Sequence, residues 1–554
     1  MKVSSKGIFL ALLILQLLLV WAFPRFATQD GASHLYNAAV IGALRSGSWS
    51  GINDFFRLNP RPVPNWTIYF LLSLFMKLFS AATAEKVLVS LYLVLFAFSF
   101  LWVAELVRPG SGHFAIWGLV LGRNWFLSMG FYNFCFGLAF FLLCFGCWFK
   151  WRRNFGIARW LLFFLLASLL YFTHLFCFLM AAFLIGVTGS LLCLREAQGS
   201  GDLRSGLRKN ARLFFGSVVI PEFCFLAFLA LNPFGAIRSH VPHPEAAARI
   251  ASALQQSVAS HGATIFDLLL DSNGILAWVL ILAADAFIIV ALYWTLARSE
   301  ERIAPVSVAL AVFTIICLIL YFFGPKAFSE NGDLQQRAGW FGLWGAFAFV
   351  ASREWKARGK LWTSAVATVA CAAGLVSGAL WRSQVAPMLK AFDDAAQRVE
   401  PGRTMLSLCY CSPWNSNLAL FQRVTVYPLL HAGDITALAA RDFSIGNYEG
   451  TISGFPVEYL PQVNPALRTP GLMEVEYRPE LADVADYEVK TGRSVDYVIV
   501  WGEPEVAGQN DNVSPLWSQL GARYSLIYGA PGATSLRLYR KRADGEPADE
   551  KNAP

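Results

Sequence analysis

The segment Gln29-Asp30-Gly31-Ala32-Ser33-His34-Leu35-Tyr36-Asn37-Ala38 lies a few residues beyond a long apolar run, which places a carboxylate at a membrane surface. If the chain is helical from Gly31, Asp30, His34 and Asn37 follow i, i+4, i+7 spacing and share one face. That face is a candidate active site. A carboxylate held against an acceptor hydroxyl can take its proton as the oxygen attacks, provided it lies within hydrogen-bond reach. Asp is also among the best residues for starting a helix, so Asp30 could be an N-cap and nothing more. His34 and Asn37 on the same face weigh toward chemistry.

Other candidates are spread along the chain. In the same loop, Asp54, Arg57, Asn59, Arg61 and Asn65 alternate with Pro60, Pro62 and Pro64, a stiff segment that could wall a cleft or simply be solvated. Glu85-Lys86 opens the next apolar run, where such a pair often only caps. The connector Arg123-Asn124-Trp125-Phe126-Leu127-Ser128-Met129-Gly130-Phe131-Tyr132-Asn133-Phe134 is rich in aromatic rings, with Asn133 among them, and could line a sugar or lipid site or form an interfacial belt. His174 sits between two apolar runs and is similarly open. The loop from Gly324 to Arg337 carries Lys326, and it ends in an arginine at headgroup depth whose planar fork could hold a lipid phosphate. Snorkelling, or pairing with Asp333, is the plainer role for Arg337. Asp285 stands inside an apolar run, a costly place that would suit proton coupling.

These residues need a membrane to position them. Of 554 residues, 56% are hydrophobic and 15% charged, with mean hydropathy +0.48. Apolar runs have bilayer-spanning length, and spans are expected at about 7–24, 86–106, 113–124, 133–149, 160–173, 175–194, 213–232, 274–297, 305–323, 338–352 and 361–381. The fold class is therefore an α-helical polytopic membrane protein with about eleven transmembrane helices. The net charge of +8 resides mostly in short connectors, as the positive-inside bias requires, and nucleic acid is excluded as a partner. The opening run from Ile8 to Phe23 could be a cleaved signal, but the weak cleavage site Pro24-Arg25-Phe26-Ala27 favours a retained span.

With Lys2 and Lys6 inside, the basic clusters at 150–159, 195–212, 298–302 and 353–360 all fall on the cytoplasmic side. That holds only if Trp66 to Ser80 does not cross. Residues 25–85 then form one long outer loop, with helices at Leu35 to Leu44 and Ile68 to Phe79 lying in the interface. Residues 1–381 make the transmembrane domain. Residues 382–542 read as an extracytoplasmic α/β domain, with strands at 404–409, 496–501, 524–528 and 535–539, and 543–554 as a disordered tail. Most cysteines lie in apolar runs and behave as small hydrophobes. Cys409 and Cys411, two apart on a strand, are poorly placed to bond each other and are read as structural.

Taken together, these features resemble the GT-C superfamily of integral-membrane glycosyltransferases, in particular bacterial membrane proteins with an Asp-Gly-x-x-His-Leu-Tyr-Asn-Ala sequence after the first span. The resemblance covers the whole chain and rests on that motif, the interfacial helices, the Gly-Phe-Tyr-Asn-Phe connector, the Arg337 loop and the outer C-terminal domain. It implies transfer of a sugar from a polyprenyl-phosphate carrier to a glycan, lipid or protein acceptor on the outer side of the bacterial inner membrane, with inversion. Asp30 would be the base. Arg337 and Lys326 would hold the lipid phosphate, and His34, Asn37, Arg57, Asn133 and His174 would bind substrate. Asp30 has no acidic neighbour where many such enzymes carry a pair, so neither metal nor cofactor is expected. The rival class is a transporter or scaffold for envelope polysaccharide export that makes no bond; it would depend on Asp285 more than on Asp30.

Overall fold

A computed structural model describes residues 5–200, 223, 268–269, 275–296, 303–325, 333–410, 426–469, 472, 479, 482–502, 515–529 and 535–543. Helix α1 (Ser5–Trp21) exposes Leu10, Ile14, Leu15 and Leu18 while burying Phe9, Leu12, Leu13 and Val20. Both sides of this helix are apolar, as lipid on one side and protein on the other demand. The first long loop, after α1, contains α2 (Gly31–Ser46), strand β1 (Phe56–Leu58) and α3 (Trp66–Phe75). Next come α4 (Ala81–Val107), α5 (Ala115–Gly122), α6 (Trp125–Met129), α7 (Tyr132–Trp151), α8 (Ile157–Thr173) and α9 (Leu175–Ser200). Beyond these lie α10 (Ile275–Leu296), α11 (Pro305–Phe323), α12 (Leu334–Ala351) and α13 (Ala357–Ala396). Among the described residues, α4, α7, α9, α11 and α13 are long and apolar enough to cross a membrane by themselves. The expected span at 213–232 and the side chain of Asp285 lie outside the described residues.

One expected span takes a different form. Residues 113–124 do not make a continuous crossing helix: α5 has eight residues, about 12 Å of rise, and the chain breaks at Arg123 before α6 begins. Asn124 makes the break stable, its side chain accepting from the Leu127 N–H at 3.2 Å and donating to the Leu121 carbonyl at 2.7 Å. Every residue from 113 to 130 is buried, and only buried protein tolerates irregular backbone at membrane depth.

Helix α13 runs unbroken for 40 residues, about 60 Å, through Trp381 and into the C-terminal region, so the 381/382 boundary falls inside a helix. There β2 (Thr404–Cys409), β3 (Phe443–Ser444), β5 (Tyr497–Trp501), β6 (Tyr524–Tyr528) and β7 (Leu536–Lys541) form one sheet in the order β3-β2-β5-β7-β6. Central β5 is buried at all five positions and pairs parallel to β2 and antiparallel to β7, which suits its β-branched sequence. One sheet face packs Leu406, Leu408, Val498 and Val500 against Trp517 and Leu520. The other face, with Met405, Ile499 and Trp501, is continuous with the core of the membrane helices. Cys409 is disulfide-bonded, and Cys411 lies outside the described residues.

The C-terminal region is stitched to the first long loop. Strand β1 pairs antiparallel with β4 (Val457–Tyr459), opposing Arg57 to Glu458. From α2, Ser33 Oγ donates to Asp434 Oδ2 at 2.6 Å, and Tyr36 OH donates to the Asp442 carbonyl at 2.9 Å. Asn37 and Asn447 exchange two amide hydrogen bonds at 2.9 and 2.8 Å. Phe55 stacks on Phe443 with ring centroids 4.4 Å apart.

The paired amides give a direct test of this seam. Asn37→Ala leaves the fully buried Asn447 amide without its partner and should cost about 1–3 kcal/mol. Thermal unfolding in detergent should show a lower midpoint for either single alanine variant, with the double variant well short of the sum. Additive losses would mean that the two amides do not depend on each other.

Candidate functional site

A cavity of about 300 Å³ opens where α2, the 129–134 connector, α12 and the C-terminal domain converge. Its lining includes Asp30, His34, Asn133, His174 and Arg337 from the sequence-derived set. Sequence positions from 30 to 337 thus meet in one chamber.

Asp30 occupies the N-cap position of α2, but its side chain makes no cap hydrogen bond. The capping role open in the sequence is therefore not what its carboxylate does. Its Oδ1 is buried without a hydrogen-bond partner and lies 3.6 Å from His431 Nε2. Burial is the main influence on this carboxyl and lifts it from 3.8 to about 7; His34 pulls it down and Glu449 pushes it up.

The backbone beneath Asp30 is held tightly. The Gln29 and Asp30 N–H groups donate to the Ser128 and Met129 carbonyls at 3.1 and 2.9 Å. Gly130, at φ +86°, lies so close that a Cβ would stand 2.8 Å from the Gly31 nitrogen. Glycine is needed there for both reasons. Below, Tyr132 OH donates to Glu85 Oε1 at 2.6 Å, and Thr28 Oγ1 accepts from the Gly31 N–H at 3.2 Å.

On the far wall, Arg337 lies over the rings of Phe131 and Phe134 at 5.4 and 5.8 Å, and its Nε has no hydrogen-bond partner. The aromatic connector therefore carries the arginine on ring faces and leaves donors for a ligand. Asp333, at the N-cap of α12 with φ 60°, and Asn65, at the N-cap of α3 with φ 70°, also line the chamber. Both are short polar residues in the left-handed region, a backbone state that gathers at functional sites. Asn133 accepts from the Ile68 N–H at 3.3 Å, fixing the start of α3. His174 packs edge-on to Phe134 with its Nδ1 unpartnered.

Two expected residues are placed elsewhere, and a third is not described. Asn37 is committed to Asn447 and the Ser33 carbonyl and does not line the cavity. Arg57 is exposed on β1, forked onto Glu458 at 2.9 and 3.1 Å. Lys326 lies outside the described residues. Sequence reasoning missed what the C-terminal domain contributes: Leu430, His431, Tyr448, Ile452 and Phe455 line the chamber, and fully buried Glu449 stands behind His34. Burial holds His431 down to about 3, with the His34 charge adding to the effect, so it is neutral at physiological pH. The one available signal was an acid framed by ring and glycine in Asn447-Tyr448-Glu449-Gly450.

No family model matches the chain, and no curated sequence matches it. Its fold does match a solved one. The crystal structure of ArnT from Cupriavidus metallidurans bound to undecaprenyl phosphate aligns over 98% of this chain and 99% of that chain, with TM-score 0.52 and 13% identity. The chain thus shares that protein's fold, a bundle of apolar helices with a sheet-containing C-terminal region.

A carboxyl whose pKa is raised on folding binds its proton more tightly in the folded chain, so its contribution to stability declines as pH rises from 3.8 to about 7. Asp30→Asn removes that decline. Its thermal midpoint should exceed wild type at pH 8, with the difference shrinking toward pH 4. A variant less stable than wild type at pH 8 would make Asp30 a structural support.

Proposed function

We propose that the chain is an integral-membrane glycosyltransferase that moves a sugar from a polyprenyl-phosphate carrier to an extracytoplasmic acceptor. One observation carries this reading: within a fold shared with a protein that binds undecaprenyl phosphate, a carboxylate whose Oδ1 accepts no hydrogen bond and an arginine whose Nε donates none line the same chamber. An anionic leaving group and an attacking nucleophile need those two groups.

The acceptor enters beside Asp30, whose carboxylate takes the hydroxyl proton as the oxygen attacks the anomeric carbon. The new C–O bond forms as the bond from that carbon to the phosphate oxygen breaks on the opposite face, giving inversion. The electron pair leaves with the lipid phosphate, and Arg337 stabilises the charge that develops there. A carboxyl near neutrality serves well, since it is ionised at working pH yet basic enough to hold the proton. His34 and His174 face donor or acceptor from the walls. Nothing in this sequence of steps calls for a metal or cofactor, in line with the lone Asp30.

Two observations support an extracytoplasmic placement of the C-terminal domain. The basic connectors fall on one side of the expected spans. The disulfide at Cys409 suits an oxidising compartment.

The test is sugar incorporation into membrane acceptors from a panel of undecaprenyl-phosphate-linked monosaccharides, at matched expression. Asp30→Asn should lower transfer by about 100-fold or more. Arg337→Ala should weaken undecaprenyl phosphate binding together with transfer, and Arg337→Lys should restore only part of either. Transfer that survives Asp30→Asn would remove this site. A wild-type protein silent across the whole panel would favour the transporter or scaffold reading.

A further inference from the structure

The C-terminal domain does more than cover the chamber. Glu449 has 0% exposure, and its two carboxylate oxygens are divided between two groups of the first long loop. Oε1 lies 2.7 Å from His34 Nδ1, while Oε2 accepts from Tyr69 OH at 2.6 Å. Tyr69 OH is also 2.9 Å from His34 Nδ1. Since Tyr69 spends its single proton on Glu449, it can meet the imidazole only as an acceptor. Nδ1 therefore carries a hydrogen, donated to Tyr69 OH, while Glu449 Oε1 stands beside it in an ion-pair contact that is not aligned as a hydrogen bond. The other ring nitrogen, Nε2, is buried without a partner on a side chain that lines the cavity.

We propose that Glu449 is a positioning residue that fixes the His34 ring and keeps it an imidazolium, so that its Nε2–H is a second cationic donor in the chamber that Arg337 also lines. The chemistry it would meet is an anionic or hydroxyl oxygen of the bound donor. An unpaired, uncharged imidazole would not repay its burial in this setting, whereas a fully buried carboxylate needs a counter-charge.

The groups facing His34 agree. Asp30 is on its own helix, Tyr69 on α3, Glu85 on α4, Tyr132 on α7 with its ring 5.6 Å away, and His431 and Glu449 come from the C-terminal domain. Burial opposes charging the ring, but Glu449, then Asp30 and the Gly130 backbone, outweigh it, and the balance is raised above 6.5. Glu449 is thereby to His34 what an orienting carboxylate is to the histidine of a hydrolase triad.

The kinetic consequence rests on the glycosyltransferase reading, while the pairing itself does not. Transfer should follow a bell-shaped pH profile, with an acid limb near 7 from Asp30 and an alkaline limb, displaced upward from the ordinary histidine range, from loss of the His34 proton. Glu449→Gln keeps the shape and an acceptor for Tyr69 but removes the counter-charge. It should move the alkaline limb down by at least one pH unit, and Glu449→Asp should restore part of it. A merely structural role would lower the rate at every pH and leave both limbs in place, which would overturn the proposal.

Thermal unfolding provides the readout that needs no substrate. A histidine whose pKa is raised on folding stabilises fully below its ordinary value of 6.5, and that contribution is lost as pH rises through the folded value. The deficit of Glu449→Gln against wild type should therefore be larger at pH 6 than at pH 9. A narrowing deficit without transfer would retain the ion pair and sink the glycosyltransferase reading. A deficit independent of pH would sink the ion pair, whatever the transfer assay shows.

Discussion

Everything at the site depends on a backbone contact. The chain leaving α1 is pressed against the turn after α6 by two amide hydrogen bonds, from Gln29 and Asp30 to the carbonyls of Ser128 and Met129. Glycine stands on both sides of that contact. A Cβ on Gly130 would strike the Gly31 nitrogen, and a Cβ on Gly31 would come within 2.3 Å of Glu85 Oε1 and Thr28 Oγ1. With the approach so close, Asp30 has little freedom to move, and the direction of α2 is set from its first residue. Helix α2 then presents Ser33, Tyr36 and Asn37 to the C-terminal domain and His34 to the chamber. One contact between loops places Asp30 and the docking surface together.

The chamber is electrostatically unfinished. Asp30 Oδ1, His34 Nε2, His174 Nδ1 and Arg337 Nε are all buried without hydrogen-bond partners. Each unsatisfied group costs roughly 1–3 kcal/mol, so four around one cavity form an unusual concentration of unpaid desolvation. Behind the wall, Asp434 takes hydroxyls from both Ser33 and Ser444, and the Asn37 and Asn447 amides complete each other, while Glu449 Oε1 and Asp442 Oδ2 also lack a hydrogen bond. Groups left open toward a cavity are what a preorganised binding surface presents, because their partners arrive with the ligand.

Much of this was legible in the residues. Long apolar runs gave the helices, and alternating or β-branched runs such as Tyr497-Val498-Ile499-Val500-Trp501 gave the strands of the C-terminal sheet. Asp30 and His34 could be grouped because they are four apart on one helix, and Arg337 stood out because a cation at headgroup depth needs a reason. Helical spacing misjudged Asn37, since a face about 100° wide also has edges, and this edge meets another domain. Hydropathy could not show that 113–124 would break, because the break comes from a side-chain cap by Asn124 inside an apolar run. Strands β1 and β4 are three residues each and exist only by pairing with one another across the chain. Glu449 and His431 were out of reach for the same reason: local patterns do not report a partner that is hundreds of residues away.

That remoteness has a consequence for how the protein is made. Ser33 and Asp434 are separated by 401 positions, Asn37 and Asn447 by 410, and the ribosome delivers the first member of each pair long before the second. Throughout that interval α2 must wait at the membrane surface with Ser33, His34 and Asn37 hydrated, while the helices beneath it are already inserted and packed. The segment that dries the chamber and supplies His431 and Glu449 is synthesised well after α2. The geometry of the chamber is thus completed late, only when a segment some 400 positions downstream has docked on α2.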